Sequence, residues 1–414
     1  MRRHITLLAT AFCALTVQTY AYDDAYIQEL EKRLAALEDK SKTHNSKGSL
    51  ELKTSDTTLS VGGRIRMEMA YNNPSTGGKG GENNGDIGLS PLSVNTDGRG
   101  EEGELTMNAK ESRIWLKTRK PTEYGLLLTV IEMDFYGNNG NEKASNSHGP
   151  RMRHAYLTLD KLTIGQANST FMGGPAPDTL HAPLNDISIR QPLIRWTESF
   201  DGSALHFALE QPESVLVDVN GTSVVPDDDH APDFVVKYEM YGTWGEVSLA
   251  GMARQIRADS EEVAPDKADA KTGTAFHFSG RLKTFGLDDV RFDFASGNAL
   301  GRYIGAGSAA YATGIIDGEG EIALQNVSGG HLAYQHAWSK TLRSTLAYGY
   351  VAAENDSKAG DTADKRANSS HLNIQWAPIQ NGSIGLEYVK ALRELENGDE
   401  YGLDRIQFAA SYDF

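Results

Sequence analysis

The chain has 414 residues, with 56 acidic side chains against 40 lysines and arginines and a formal net charge of −16. Such an acid excess excludes a general nucleic-acid binder, whose phosphate contacts demand positive surface. The one cysteine, Cys13, lies in a segment expected to be removed, which excludes disulfides, Cys-ligated zinc and iron–sulfur clusters from the mature chain.

Arg2, Arg3 and His4 precede an apolar run from Ile5 to Val17, which ends in Thr19-Tyr20-Ala21. Basic flank, short apolar stretch and small terminal residue read as a secretory signal over residues 1–21. The run is shorter than the roughly 20 apolar residues a membrane-crossing helix needs. Residues 22–40 carry a helical pattern, with Ile27, Leu30, Leu34 and Leu37 on one seam and Ala35 and Ala36 as strong helix formers. A helix this short is marginal alone, so the stripe needs a partner. It is either a self-associating coiled-coil stub or a terminal helix docked on its own domain. Polar residues 41–58 read as a linker.

Beyond residue 58 the period changes to two. Arg64, Arg66 and Glu68 alternate with Ile65, Met67 and Met69; near the C-terminus Ile406, Phe408, Ala410, Tyr412 and Phe414 share one face. Sixteen strand candidates follow, from 59–71 and 105–119 to 382–395 and 402–414. The span 59–414 leaves roughly 22 residues for each strand plus connection, room for one crossing of 9–11 residues and a loop. Tight turns such as Phe200-Asp201-Gly202-Ser203 alternate with long acidic loops such as 213–231 and 258–271. Short turns on one side and long loops on the other predict an all-β fold: a sixteen-stranded antiparallel transmembrane β-barrel over 59–414, with a short N-terminal coiled-coil helix. Tyrosines and tryptophans near strand ends, among them Tyr124, Tyr156, Trp338 and Tyr412, fit aromatic girdles. The competing fold is a soluble secreted β protein.

Several segments carry a family likeness: the stub Ile27-x2-Leu30-x3-Leu34-x2-Leu37, Ser112-Arg113-Ile114, Glu132-Met133-Asp134-Phe135-Tyr136-Gly137, Arg151-Met152-Arg153-His154-Ala155-Tyr156-Leu157, and Arg190-Gln191-Pro192-Leu193-Ile194-Arg195-Trp196. On these the chain resembles the DcaP-like family of trimeric outer-membrane porins of Gram-negative bacteria. The resemblance implies a homotrimer of sixteen-stranded barrels, a periplasmic N-terminal coiled coil, and passage of small anionic solutes, especially dicarboxylates. It implies no cofactor. Ala167-Asn168 departs from the family's pattern, and the loop from Gly173 to Asp186 is individual to this chain.

A diffusion pore needs only a width and a potential, and arginine is the natural anion-facing residue because its charge is permanent and its fork meets a carboxylate twice. Arg151 and Arg153 lie two apart on one strand face; Arg113 shares its face with Lys117 and Arg119; Arg195 shares parity with Gln191, and Arg190 sits at the strand's mouth. Glu132 and Asp134 point the same way and are expected to pair with this ladder. The ladder is then either an anion filter or a structural ion-pair network; Arg64, Arg66 and Glu68 read as the structural kind. The loop 169–187, which contains Gly173-Gly174-Pro175-Ala176-Pro177-Asp178, is expected to fold inward and narrow the pore, with Asp178 at the constriction. Pro192 predicts a bulge or an irregular wall.

His148, His154, His206 and His277 have no metal-site spacing, and no serine sits in a nucleophile-elbow setting. Asp227-Asp228-Asp229 is a solvated loop or a divalent-ion bridge to lipopolysaccharide. The function expected is that of an outer-membrane porin, not an enzyme, with outer-membrane lipid, sister subunits and small anions as partners. The alternatives are a plugged, structural or adhesive barrel, or an outer-membrane enzyme.

Overall fold

Strands of alternating polarity can either bury their apolar row or show it to lipid, and here they show it. The computed structural model describes residues 50–414 apart from 55, 77–86, 97–102, 142–144, 227–228, 259–268 and 305–310. Sixteen antiparallel strands form one closed wall. They run from Thr58–Asn73, through a second strand made of Glu104–Asn108 and Arg113–Thr122, to Gly382–Leu395 and Glu400–Asp413. The last pairs with the first, from Arg64 opposite Asp413 to Asn73 opposite Asp404, and the cylinder closes without an edge. Leu346 is 61% exposed on the outside, whereas Arg405 is 1% exposed on the inside. Charge inside and hydrocarbon outside suit a water-filled cylinder in a bilayer.

The short turns gather at one end, and exposed Tyr124, Trp244, Phe285 and Trp338 stand in or beside them as an interfacial ring. The eight remaining connections lie at the other end. Two pairs of short strands from these long loops, Leu216–Asp218 with Ser223–Val224 and Gly314–Ile316 with Ile322–Leu324, form a separate sheet above the wall.

Parts of three loops turn inward instead. Leu89 and Val94, then Phe171, Leu184 and Ile187, then Leu300, Tyr303, Ile304 and Tyr311 join one buried apolar cluster. The inner row beneath them is small and apolar, with Ala208, Val235, Ala295, Val351, Ala367 and Val389. The wall trades charge for small apolar side chains where it must pack against loop.

Four sequence expectations change. Among the described residues the fold contains no α-helix, only the three-residue 3-10 turns Pro91–Ser93 and Gly301–Tyr303, so the expected barrel with a coiled-coil helix is corrected to the sixteen-stranded barrel that these residues form. The residues read as a coiled-coil helix, Ile27, Leu30, Leu34 and Leu37, lie outside the described residues, as does the signal segment. Within the stretch read as linker, Leu50–Lys53 forms a strand on Thr58–Val61. That edge lies beyond the end of the last strand, so the short strand occupies hydrogen-bonding groups that would otherwise be bare. Finally, Pro192 causes no bulge: its pairing with Gln166 is in register, and its missing N–H falls where the neighbouring strand Ser203–Glu210 has already ended. The real irregularity lies between Gly125–Asn141 and Ser147–Leu159, where the register shifts after Glu132. This shift puts Tyr156 on the half-buried inner row, beside His154, rather than in a girdle.

The seam is held by Arg64, whose Nε and Nη2 donate to Asp413 at 2.6 and 3.3 Å, both residues being buried. Removing one member of a buried pair costs about 3–5 kcal/mol. Arg64→Ala should therefore lower the unfolding midpoint of the purified barrel, read as loss of the compact band in a heated gel; an unchanged midpoint would place closure elsewhere.

Candidate functional site: an ion-paired wall facing an inward loop

The register shift after Glu132 brings three elements of charge to one place. Arg151 donates to Asp134 with Nε at 3.0 Å and Nη2 at 2.7 Å. Arg153 reaches both Asp134, at 2.8 Å, and Glu132, at 2.7 Å. Arg113 lies 3.6 Å from Glu132 and 2.9 Å from Glu111. Arg66 continues the row, at 2.9 Å from Glu111 and 2.8 Å from Glu68. Four guanidiniums thus alternate with four carboxylates along the inner wall. Arg151 is the exposed end, its side chain 42% accessible and its guanidinium 4.9 Å from the Tyr136 ring.

The opposite side of the lumen belongs to residues 169–189. This loop is fixed by its own backbone, whose polar groups meet side chains of the wall. Phe171 O accepts from His277 at 2.9 Å, Met172 O from Lys237 at 3.3 Å, Ala176 O from Arg291 at 2.7 Å and Leu180 O from Arg66 at 2.9 Å. In return, Thr170 N donates to Glu210 at 2.6 Å and Leu180 N to Glu387 at 2.7 Å. Gly173 passes so close to Ser248 and Ser279 that a Cβ there would collide with both hydroxyls.

Asp178 is the loop's main anchor. Arg343 grips it at 2.8 and 3.1 Å, and its carbonyl accepts from Asn373 at 2.8 Å and Gln375 at 2.7 Å. Burial opposes ionisation, but Arg343, Arg291 and the hydrogen bonds outweigh it and hold the carboxyl below its usual range. Asp186 behaves oppositely: burial and the nearby Asp293 push its carboxyl up to about 6, against the pull of His331 and Arg190.

The residues singled out in the sequence therefore divide. Arg113, Arg151, Arg153, Glu132 and Asp134 meet in the ladder. Asp178 binds the far wall. Arg195 is buried on the inner row, and Arg190 falls on the outer row with Ile194 and Trp196, at the rim. Glu111, Lys237, Arg291 and Arg343 were not anticipated. Parity could have placed Arg291 and Lys237 inside; their partners are loop carbonyls, which no spacing encodes. Asp229 caps Ser214 within its loop at 2.7 Å, while Asp227 and Asp228 lie outside the described residues.

A closed cylinder of sixteen strands, apolar outside and charged inside, with a loop folded into its lumen, defines a porin-type channel. The chain belongs to the DcaP outer membrane protein family, whose model matches residues 25–414. It is an outer-membrane diffusion porin, a transport protein and not an enzyme. Among solved structures it is similar to the outer membrane channel DcaP of Acinetobacter baumannii, with 20% identity, a TM-score of 0.72, and coverage of 88% of this chain and 99% of that one. The anion-selective porin from Comamonas acidovorans shares the fold at 12% identity and TM-score 0.55, covering 87% of this chain and all of that one, 100%. OmpT of Vibrio cholerae in its trimer form does so at 11% and 0.53, again over 87% and 100%. No curated protein sequence matches.

Two predictions follow the loop's chemistry. Asp178→Asn leaves Arg343 largely buried without its counter-charge, a loss of roughly 3 kcal/mol from the loop's hold. Single-channel current should rise and become noisier; a trace identical to the parent would mean the anchor is redundant. Because the Asp186 carboxyl is raised in the folded state, its contribution to loop docking is full below about pH 4 and fades as pH rises through about 6. Amide exchange in residues 180–189 should quicken over that interval, and Asp186→Asn should remove the pH dependence.

Proposed function

We propose that this porin passes small anions, short dicarboxylates among them, through the gap between the inward loop and the ion-paired wall, and that it works as a homotrimer with its N-terminus in the periplasm. The observation that carries the route is the loop's attachment. Its bonds to Glu210, Lys237, His277, Arg291, Arg343, Asn373 and Glu387 occupy the wall from Ser203–Glu210 round to Gly382–Leu395. The uncovered inner face is that of the strands carrying Arg113, Glu132, Asp134, Arg151 and Arg153.

The sign of selection follows from counting charge along that face. Within the ladder, each guanidinium is matched by a carboxylate, so its field largely cancels a few ångströms away. Beyond Arg113 the same row continues with Lys117 and Arg119. Lys117 is exposed, stands across from Ser60 and Val130, and lies 5.9 Å from the Trp115 ring; Arg119 stands across from Thr58 and Leu128. The residues directly opposite Lys117, Ser60 and Val130, are uncharged, so this exposed ammonium adds positive charge beyond the balanced ladder. The ladder thus serves as the stiff wall, and Lys117 as the attracting step.

The trimer reading rests on the outer surface. Strands Thr58–Asn73 to Leu162–Asn168 show mainly aliphatic residues, Ile65, Met107, Ile114, Leu116, Ile131, Met152 and Ile164, with Tyr71 and Tyr124 as their exposed aromatics, whereas the rest of the wall shows Trp196, Phe207, Phe234, Tyr238, Phe276, Tyr334, Tyr348, Trp376 and Tyr388. Aromatic belts mark lipid contact, so the aromatic-poor sector suits sister subunits. The short turns, between which Leu50–Lys53 enters the wall, belong to the periplasmic end in barrels of this kind.

Planar-bilayer recording tests the route and the sign together. Lys117→Glu should reduce the anion-to-cation permeability ratio several-fold under a salt gradient. A reversal potential unmoved by the change would remove the attracting step, and single rather than triplet conductance steps would remove the trimer.

A further inference from the structure

The uncovered inner face is not charged throughout. Trp115 takes the inward position after Arg113, across from Glu132 on one neighbouring strand and Gly62 on the other. One row further toward the short turns, Lys117, Val130, Tyr156 and Gly165 stand side by side on four successive strands. Strand spacing sets Lys117 and Tyr156 about 10 Å apart, with Val130 between them.

The indole lies against the wall. A Cβ at Gly62 would sit 2.7 Å from its Cζ2 and 2.8 Å from its Cε2, so only glycine admits the ring there. The ring is held on one side by backbone, and the Lys117 ammonium stands 5.9 Å from its centre. Tyr156 is steadied in turn by an edge-on contact with His154, with ring centres 6.0 Å apart.

These apolar side chains are not explained by packing against a loop. Where inserted loops cover the wall, the inward row is small and fully buried, as at Ala208, Val235 and Val351. Trp115, Val130 and Tyr156 are larger, only half-buried, and outside that apolar cluster. What remains of their surface faces the lumen, since they share the inward row. An apolar patch kept in contact with water beside an exposed cation has the form of a ligand site.

We infer that Trp115, Val130 and Tyr156 form an apolar step that takes the carbon body of an organic anion while its carboxylate rests at Lys117, so that the channel favours aromatic carboxylates over polyhydroxy acids of equal charge. The inference rests on the proposed anion route, whose face it shares. A flat ring can stack on the indole and meet the phenol edge-on. A polyhydroxy body gains nothing from this strip, because its hydroxyls would leave water for a surface that returns few hydrogen bonds. The step stays half-open to water, which keeps the hold weak enough for release and passage.

The test is planar-bilayer recording of the full-length protein at neutral pH. Benzoate and threonate, a polyhydroxy acid of similar size and the same charge, are titrated separately against a chloride current. Benzoate should half-block the parent at a concentration several-fold below that of threonate. Trp115→Ala should bring the two concentrations together, and Trp115→Phe should keep part of the difference. Val130→Thr, which keeps the side chain's shape, should narrow the difference too and decides the matter should Trp115→Ala fail to yield a folded barrel. Lys117→Gln should raise both concentrations and leave their ratio. Equal half-blocking concentrations in the parent would overturn the inference, as would a folded Trp115→Ala variant with the parental ratio. A parent that prefers sodium to chloride would instead defeat the proposed anion route, and the ratio of the two acids would still decide the apolar step.

Discussion

Hydrocarbon offers no hydrogen bonds, so every peptide group in the wall must find its partner inside the wall itself. The chain therefore has to meet its own beginning, and the seam is where the fold is decided. Gly63 and Phe414 exchange two backbone hydrogen bonds of 2.9 Å at that junction. The terminal residue is thus both the last rung of the ladder and an outward aromatic. Leu50–Lys53 then occupies the part of the first strand that the last strand does not reach. From closure follows the inversion of polarity, because a cylinder with hydrocarbon outside must collect its charge within.

Collected charge creates a second problem. Arginines pressed against a wall by inserted loops lose much of their water, and a buried charge is tolerable only when paired and hydrogen-bonded. This chain meets the problem in two ways. On the open side it alternates guanidinium and carboxylate from Arg151 to Glu68. On the covered side it gives Lys237 and Arg291 the carbonyls of the loop, Arg66 at the ladder's end takes another, and the same bonds satisfy a backbone that has no sheet to join. The wall's leftover charge and the loop's leftover peptide groups neutralise each other's cost, which is why an irregular segment can lie inside a barrel at all.

How much of this was legible in the sequence follows from the range of each interaction. The two-residue period announces strands because it is local. The sixteen-strand count and the inward parity of Arg113, Glu132, Asp134 and Arg151 needed only neighbours in the chain. The strands Gly125–Asn141 and Ser147–Leu159 outran their expected ends, because the polar run from 138 to 149 reads as loop while pairing as strand. Asp178 was singled out for its glycine- and proline-rich setting, but its partner Arg343 is 165 residues away and leaves no local trace. Arg190 carries the same charge as its ladder neighbours, yet one residue of offset sends it to the other side of the wall. The apolar core of three loops was invisible for a related reason: Leu89, Phe171 and Tyr303 are isolated apolar residues in loops, and only the folded lumen brings them together.

The balance of the ladder also bears on how a weakly selective channel is built. A bare row of arginines would attract anions strongly, but it would also bind them, and conduction requires that a solute leave as readily as it enters. Neutralising most of the row with Glu132, Asp134, Glu111 and Glu68 removes the trap while the guanidinium planes remain as rigid wall. In the proposed route a smaller surplus, at exposed Lys117, would set the sign of the field without setting a deep well. The acidic outer loops oppose that sign at a distance, but their charges are solvated and screened beyond about 8–10 Å at physiological salt. An anion that reaches the gap is governed by the nearer, less screened cations. Net charge of the chain and preference of the pore can therefore have opposite signs, because the pore is controlled by the few charges that water cannot screen.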